Sequence, residues 1–539
     1  MKRLRSAAAT LALSTAALAA TLVENGQPRA VVVTAAKPAP VVQFAVKELV
    51  DHVRLVSGAT LPVVTEDKLP AGDKRCLVLV GDSRFAADMG AKTGALAPES
   101  TLVQASDDRL LLIGGDRGEF ALVSKAENSN GTLYAVYDFL ENDLGVRWLW
   151  PGPVGLVAPS KPTIAVAPCR RAFIPPLIQR GIRAGMKDWN GSVARLGLTP
   201  ELAKAQSDEY SLWARRRRLG RSAAFSFGHA FNYWLQKYGK DHPDWFAMMP
   251  DGQRVTPEKP YPSLERAKLC VTNPELPGFI AKQGMEYLEK NPSVLSFSVC
   301  PNDSRGYCMC PKCKALDPPE GVKDTVNYPG MKPCLYPSLS DRYVWFWNRI
   351  AQCLGDRYPG RYLGAYAYSN YRFPPLREKL SPRVVIAYVG FNYLNNAYNA
   401  QSRKDWAGWA ATGCKMFLRP NLLLVGHGFP LNYALDLGAD VKECARTGML
   451  GTDFDSMTHQ YASQAPIFDM LTRIMWDPSL DPQAVYDDFL RSAYGPAEPA
   501  MRRYWSEIEK ITKTVAASSE GADHDQLPLE DMVPTLYSS

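Results

Sequence analysis

The sequence predicts an α/β chain: a (β/α)8 TIM-like barrel preceded by a small α/β domain and followed by a helical C-terminal extension. Three observations predict it. Beyond Pro175-Pro176, short apolar runs alternate with helical stretches eight times, the rhythm of a (β/α)8 barrel over about 300 residues. Ahead of that point the alternation is tighter and glycines close the apolar runs, as in one sheet with helices laid on it. From Asp481 the pattern is helical to about Thr514 and then polar.

In order along the chain, a basic start (Met1 to Arg5) leads into an apolar stretch (Ala7 to Leu18) and a small-residue end at Ala17-Leu18-Ala19. This order predicts a secretory signal peptide over residues 1–19 and an exported mature chain, periplasmic or extracellular. The apolar stretch falls short of the roughly 20 residues that span a bilayer. No integral membrane segment is therefore expected after cleavage. The first domain, residues 20–168, has a strand at Val31-Val32-Val33 and a helix over Gln43 to Val56, whose Phe44, Val46, Leu49, Val50, Val53 and Val56 recur at helical spacing. Ser57-Gly58 stops that helix. Strands follow at Leu77 to Val80 and Leu110 to Ile113, then a helix with Leu133, Val136, Tyr137 and Leu140 on one face.

The barrel, residues 175–480, takes its strands from Leu177 to Arg183, Ala223 to His229, Leu269 to Thr272 and Val294 to Cys300. Four more are Tyr362 to Tyr368, Val384 to Gly390, Lys415 to Leu418 and Met449 to Asp453. Helices over Glu275 to Glu289, Asp341 to Leu354 and Leu431 to Arg446 fall between them, and residues 481–539 form the extension.

With 46% hydrophobic and 22% charged residues in 539, the composition is that of a globular protein with little disorder. The formal charge of +7 falls to about +4 once Lys2, Arg3 and Arg5 leave with the signal peptide, too small an excess to imply a nucleic-acid partner. The densest basic run, Arg215 to Arg218, lies in a predicted helix (Glu201 to Leu219) and reads as a solvated face.

Barrel chemistry sits where strands end, and here those ends are polar. Strand two ends at His229, strand four runs into Asn302 and Asp303, and strand five carries Tyr366 and Tyr368. Strand six leads to Asn392 and Tyr393, strand seven to Arg419, Asn421 and His427, and strand eight to Asp453, Asp455 and His459. Three of the six histidines fall at or just past these ends. Breaking a glycosidic bond takes two carboxyl groups, one to protonate the leaving oxygen and one as base or nucleophile. Asp303 is the candidate acid, expected partly buried at the barrel mouth, and Asp453 or Asp455 is the candidate partner. Asn302 is expected to orient an N-acetyl or hydroxyl group. His229, Tyr366, Tyr368, Asn392, Tyr393, Arg419 and His427 are candidate substrate contacts, the aromatics because their faces suit sugar rings. Arg419 or Arg183 could pair with a sugar carboxylate. Each assignment has a structural counterpart: a turn or capping aspartate, a satisfied histidine, a core aromatic.

Eleven cysteines are many for an exported chain, and Cys300, Cys308, Cys310 and Cys313 fall close together. A Cys-x-Cys-x-x-Cys run can wrap three thiolates around one metal, with Cys300, Cys334 or Cys270 as the fourth ligand. An oxidising compartment favours disulfides instead. Structural zinc, disulfides and free thiols all stay open. A closed thiolate site would be structural, so the chemistry is expected to need no cofactor.

The segment Ser298-Val299-Cys300-Pro301-Asn302-Asp303 with Cys308, Cys310 and Cys313 resembles the bacterial domain of unknown function 4838 family, as do Gly228-His229-Ala230-Phe231, His242-Pro243-Asp244-Trp245-Phe246, Leu269-Cys270-Val271-Thr272-Asn273-Pro274 and Trp476-Asp477-Pro478. Residues 22–167 resemble the small domain ahead of the barrel in α-glucuronidases and β-hexosaminidases, through Glu48-Leu49, Ser57-Gly58, Leu61-Pro62 and Gly131 to Tyr137. The resemblance implies a glycoside-hydrolase-like barrel with an accessory domain, and a chain extending beyond Ser539. The β-hexosaminidases carry an Asp-Glu pair after strand four, where this chain has Asn302-Asp303. The expected function is an exported glycoside hydrolase-like protein acting on a uronic-acid or amino-sugar glycan. The alternative is a non-catalytic glycan-binding protein on the same barrel. A metal-dependent amidohydrolase would want a His-x-His pair on strand one, and Leu177 to Arg183 has no histidine.

Overall fold

The computed structural model describes residues 19–123, 128–183, 197, 199–328, 331–422, 429–455 and 461–519. The predicted signal peptide up to Leu18, His427, His459 and the end of the extension lie outside the described residues. The chain divides into two compact units, one built from Met1–Phe120, Ser129–Val146 and Ala158–Ile174, the other from Ala121–Asn128, Arg147–Val157 and Pro175–Ser539. Among the described residues no helix is long and apolar enough to cross a membrane.

The first unit is built on a six-stranded sheet of β1 (Ala30–Thr34), β2 (Val63–Thr65), β3 (Cys76–Val80), β4 (Thr101–Ala105), β5 (Arg109–Gly114) and β6 (Cys169–Phe173), in the order β6-β4-β5-β3-β1-β2. The strands β1, β3 and β5 read as nearly continuous aliphatic runs because they are parallel and buried on both faces. Helix α1 (Pro40–Ser57) starts with proline at its first position and ends on Gly58 at φ 78°, the asymmetry expected of helix ends. Helix α2 (Gly131–Asn142) begins against β5, where a Cβ on Gly114 would stand 2.1 Å from the Gly131 carbonyl carbon. Glycine is what lets those backbones touch.

The second unit is mixed α/β around a curled sheet. Its strands are β7 (Gln179–Ile182), β8 (Gly220–Arg221), β9 (Ser296–Ser298), β10 (Tyr362–Ala367), β11 (Val384–Tyr388), β12 (Lys415–Leu418) and β13 (Met449–Phe454), ordered β8-β7-β13-β12-β11-β10-β9. All neighbours pair in parallel except β8 with β7. Helices α3 (Pro200–Arg216), α4 (Leu276–Lys290), α5 (Ser340–Leu354), α6 (Asn396–Ala411), α7 (Ala434–Arg446) and α8 (Tyr461–Trp476) alternate with or follow these strands. The helices α9 (Pro482–Tyr494) and α10 (Glu498–Ser518) then form the predicted helical extension.

Two of the eight predicted strands form no ladder. The second, Ala223 to His229, is held beside β9 by isolated parallel bridges at Ala224–Val294 and His229–Cys300. Between them the serine hydroxyls of β9 replace backbone pairing. The Ser226 N–H donates to Ser296 Oγ at 2.7 Å, Ser296 Oγ donates to the Ser226 carbonyl at 3.2 Å, and Ser298 Oγ donates to the Gly228 carbonyl. Removing one hydroxyl strands two backbone groups, so Ser296→Ala should cost about 1–3 kcal/mol in chemical denaturation. A variant within experimental error of the parent would show that these hydroxyls do not carry the segment. Gly364 on β10 has the same segment as neighbour, since a Cβ there would stand 2.2 Å from the Ser226 carbonyl oxygen. The third predicted strand, Leu269 to Thr272, makes one antiparallel bridge, Phe246–Leu269, and otherwise turns.

The basic run is not a solvated face. Arg215, Arg217 and Arg218 are buried. Arg217 pairs with Asp469 at 2.8 Å and donates to Thr472, Arg215 donates to the Leu122 carbonyl, and Arg218 lies over the Trp476 ring. Long stems and forked donors let arginine serve as a buried connector.

Candidate active site at the strand ends

The parallel order of the sheet decides which charges meet. Strand β13 lies between β7 and β12 and carries Asp453, with Asp455 just past its end. Each neighbouring strand is followed by an arginine. Arg183, after β7, grips Asp453 with both arms, Nε at 2.8 Å from Oδ1 and Nη2 at 2.5 Å from Oδ2, and its Nη1 stands 3.6 Å from Asp455. Arg419, after β12, donates Nη2 to Asp455 and Nη1 to Asn421 Oδ1 at 2.7 Å. The result is a neutral row of alternating charge, Asp453–Arg183–Asp455–Arg419. The carboxylates hold the Arg183 guanidinium charged although burial opposes it.

Tyr366 on β10 closes the row from inside. Its buried ring lies 4.8 Å from the Arg419 guanidinium carbon, 5.7 Å from the His229 ring and 6.3 Å from Phe227. Burial pushes its hydroxyl well above the usual tyrosine range. His229 sits with Nδ1 2.6 Å from the Pro301 carbonyl, an acceptor, so the proton is assigned to Nδ1. Burial lowers the His229 pKa, and the charges of Lys268 and Arg419 add to that effect. The neutral ring therefore keeps a lone pair on Nε2 at neutral pH.

Asp303 follows β9 on an exposed turn, and its described side-chain partner is the Tyr368 hydroxyl, 3.4 Å from Oδ1. The partial burial expected from sequence is corrected: a turn after the strand carries this carboxylate out to solvent. Tyr368 also faces His229, with ring centroids 6.4 Å apart. Contacts thus run from Asp303 through Tyr368, His229 and Tyr366 to Arg419 and Asp455. Ser369 and Phe391, two and three residues past the ends of β10 and β11, adopt positive φ of 51° and 68° without being glycine. Such backbones cost of order 1–3 kcal/mol each and collect at functional sites.

Several predicted contacts belong elsewhere. Asn302 is buried and spent on backbone: Oδ1 accepts from Phe231 N–H, and Nδ2 donates to the carbonyls of Phe231 and Ala267 at 3.0 and 2.9 Å. It anchors the turn, with both ends of its amide held by backbone groups. Tyr393 is buried against Tyr433, with stacked rings 4.8 Å apart, and burial followed by the nearby Asp440 pushes its hydroxyl far up. It belongs to the α6–α7 layer. Asn392 accepts from the Leu394 N–H at 3.0 Å within a turn.

Lys268 is a residue the sequence reading missed. Its ammonium is buried, donates to the Asn302 carbonyl at 2.5 Å and lies 4.6 Å from the Tyr307 ring centroid. Burial pushes its pKa down to about 7, opposed by the charge of Asp303. The available signal was a lysine inside the apolar run Ala267-Lys268-Leu269.

The cysteine cluster is real, and of the three candidates for its fourth member it takes Cys270. Cys270, Cys308, Cys310 and Cys313 are all buried, and their sulfurs lie within 4.8 Å of one another, so the cluster could bind a metal. Cys300 is not among them; its buried thiol faces the Gly364 carbonyl at 3.5 Å. All eleven cysteines are free.

No curated protein matches the chain in sequence. Among solved structures, an N-acetyl-β-hexosaminidase from Streptomyces plicatus aligns at 11% identity and TM-score 0.41, covering 88% of this chain and 93% of that one. A β-N-acetylhexosaminidase from Bacteroides fragilis aligns at 12% and 0.43, covering 85% and 88%. A family 89 glycoside hydrolase from Clostridium perfringens aligns at 11% and 0.45, covering 87% of this chain and 52% of that one. The family described as "Domain of unknown function (DUF4838)" matches residues 150–506, well over half of the sequence, and the chain belongs to that family.

Proposed function

We propose that this is an exported glycoside hydrolase-like protein whose site lies at the C-terminal ends of the curled sheet. In this reading the sheet closes as a TIM-like barrel with residues 223–229 as its second strand and no third strand at residues 269–272. Asp303 is the acid or base, because it is exposed and held at the mouth by Tyr368. Asp455 is the partner carboxylate, a quarter exposed, while Asp453 serves to fix Arg183. Arg183 keeps 40% of its side chain exposed and is the group placed to meet a uronate; Arg419 is buried and positions Asp455. The chemistry needs no cofactor, and a metal at the four thiols is structural.

The observation that carries this reading is the convergence of Asp303, Tyr368, His229, Tyr366 and the Arg–Asp row on one set of strand ends. The mature protein incubated with a panel of uronate- and amino-sugar-containing polysaccharides should release new reducing ends from at least one of them. Retention on a glycan without release across the panel would instead support a non-catalytic binding protein. One observation favours that second reading: Asp453 and Asp455 are both committed to arginines, and a carboxylate so held is a weaker nucleophile.

A further inference from the structure

The four clustered thiols come from two stretches of chain. Cys270 sits in the segment that fails to pair as a strand, and Cys308, Cys310 and Cys313 follow the turn that carries Asp303. Cys270 Sγ stands 3.8 Å from Cys310 Sγ and 3.9 Å from Cys313 Sγ. A tetrahedron with metal–sulfur bonds of about 2.3 Å has edges of about 3.8 Å, the spacing a zinc tetrathiolate demands. A disulfide would need sulfurs about 2 Å apart.

The surroundings suit thiolates. Met248 N–H donates to Cys308 Sγ at 3.3 Å, Cys313 N–H to Cys310 Sγ at 3.4 Å, and the Thr272 hydroxyl lies 3.2 Å from Cys313 Sγ. Donors of this kind form the outer shell that stabilises metal-bound sulfur. Four thiolates around a divalent ion leave two negative charges to balance. The Arg254 guanidinium lies beside Cys270, and Arg342 acts on Cys313 while its Nη1 donates to the Cys308 carbonyl at 2.8 Å. Arg254 offsets part of that charge, while Arg342, whose own charge is met by Asp317, lends the cluster a donor at the Cys308 carbonyl.

We infer that Cys270, Cys308, Cys310 and Cys313 hold one Zn2+ in a closed tetrathiolate site, and that this metal anchors residues 269–272 in place of strand pairing. This rests on the structural-metal reading above and is independent of glycan chemistry. The site has no open position for substrate or water, which makes it structural. It cross-links the chain two residues past Lys268 to the chain five residues past Asp303, so it ties together two loops of the proposed mouth.

The test uses the full mature chain purified under reducing conditions. Elemental analysis should give one zinc per chain, and cobalt(II) exchanged into the site should show the intense sulfur-to-cobalt charge-transfer bands of a tetrahedral thiolate. Cys300→Ser should keep the metal and Cys270→Ser should lose it. Cys270→His, which retains a ligand, should bind cobalt with bands shifted to higher energy, and this guards against simple misfolding of the serine variant. Stripping the metal should speed hydrogen exchange at residues 269–273 while β10 and β11 stay protected. Two disulfides and no metal in the native chain would overturn the inference. So would iron in place of zinc, or metal lost with Cys300→Ser and kept with Cys270→Ser.

Discussion

Asp317→Leu alone should destabilise the second unit by about 3–5 kcal/mol, the cost of leaving one member of a buried ion pair without its partner. The pair is Arg342 and Asp317, each with 2% of its side chain exposed. Arg342 Nε reaches Asp317 Oδ1 at 2.8 Å, Nη2 donates to Oδ2, and the Tyr336 hydroxyl adds a bond of 2.8 Å to the same carboxylate. Arg342 cannot shed its proton to escape burial, so in the single variant its charge stays inside. Replacing both, Asp317→Leu with Arg342→Met, removes both desolvation costs and should recover most of the loss. Recovery should stop about 1–3 kcal/mol short, because the Cys308 carbonyl loses its Nη1 donor. Urea unfolding of the two variants checks this. A single variant within about 0.5 kcal/mol of the parent, or a double variant as weak as the single, would show that the pair is not a buried pair in solution.

How far the sequence could be read depends on whether a residue's role is local. Strands β10, β11, β12 and β13 were legible because parallel strands buried on both faces must be apolar throughout, and Val384–Tyr388 is buried at every position. The second predicted strand forms no ladder because Ser296 and Ser298 hold it with side chains, which an apolar pattern does not encode. The third was misread because its β-rich run, Leu269 to Thr272, is fixed by what Cys270 meets in space. Spacing suggested a thiol cluster, yet it could not choose Cys270 over Cys300, which lies closer to the run in sequence and farther in the fold. Arg215 to Arg218 failed for a related reason, since burial of arginine is decided by partners more than two hundred residues away, such as Asp469. Asn302 and Asp303 are adjacent in sequence, but the amide points into three backbone partners while the carboxylate faces water. The row Asp453–Arg183–Asp455–Arg419 is within reach of the sequence. All four were placed at strand ends, and closing a barrel sets the first strand beside the eighth and the eighth beside the seventh, so their mutual neutralisation follows from topology. Taken one at a time, the four residues do not show the pairing.

That neutral row makes Asp303→Asn the decisive substitution for the proposed activity. Asparagine keeps the size of the side chain and can still meet the Tyr368 hydroxyl, but it cannot take up or give a proton. Positioned acid–base groups contribute about 10²–10⁴-fold, so kcat on a cleaved glycan should fall by that factor with KM little changed. Tyr368→Phe removes the 3.4 Å bond to Asp303 and should cost about tenfold or less, since the carboxylate remains. Asp453→Asn and Asp455→Asn separate two further roles. The first frees Arg183, which is exposed enough to be solvated, and should act mainly through substrate affinity. The second leaves Arg419 buried without its carboxylate and should lower both kcat and stability. Stability measured beside turnover distinguishes these outcomes, because Asp303 is exposed and its amide variant should unfold with the parent. Turnover retained in Asp303→Asn and lost in Asp455→Asn without destabilisation would move the chemistry from the Asp303 turn to the arginine row.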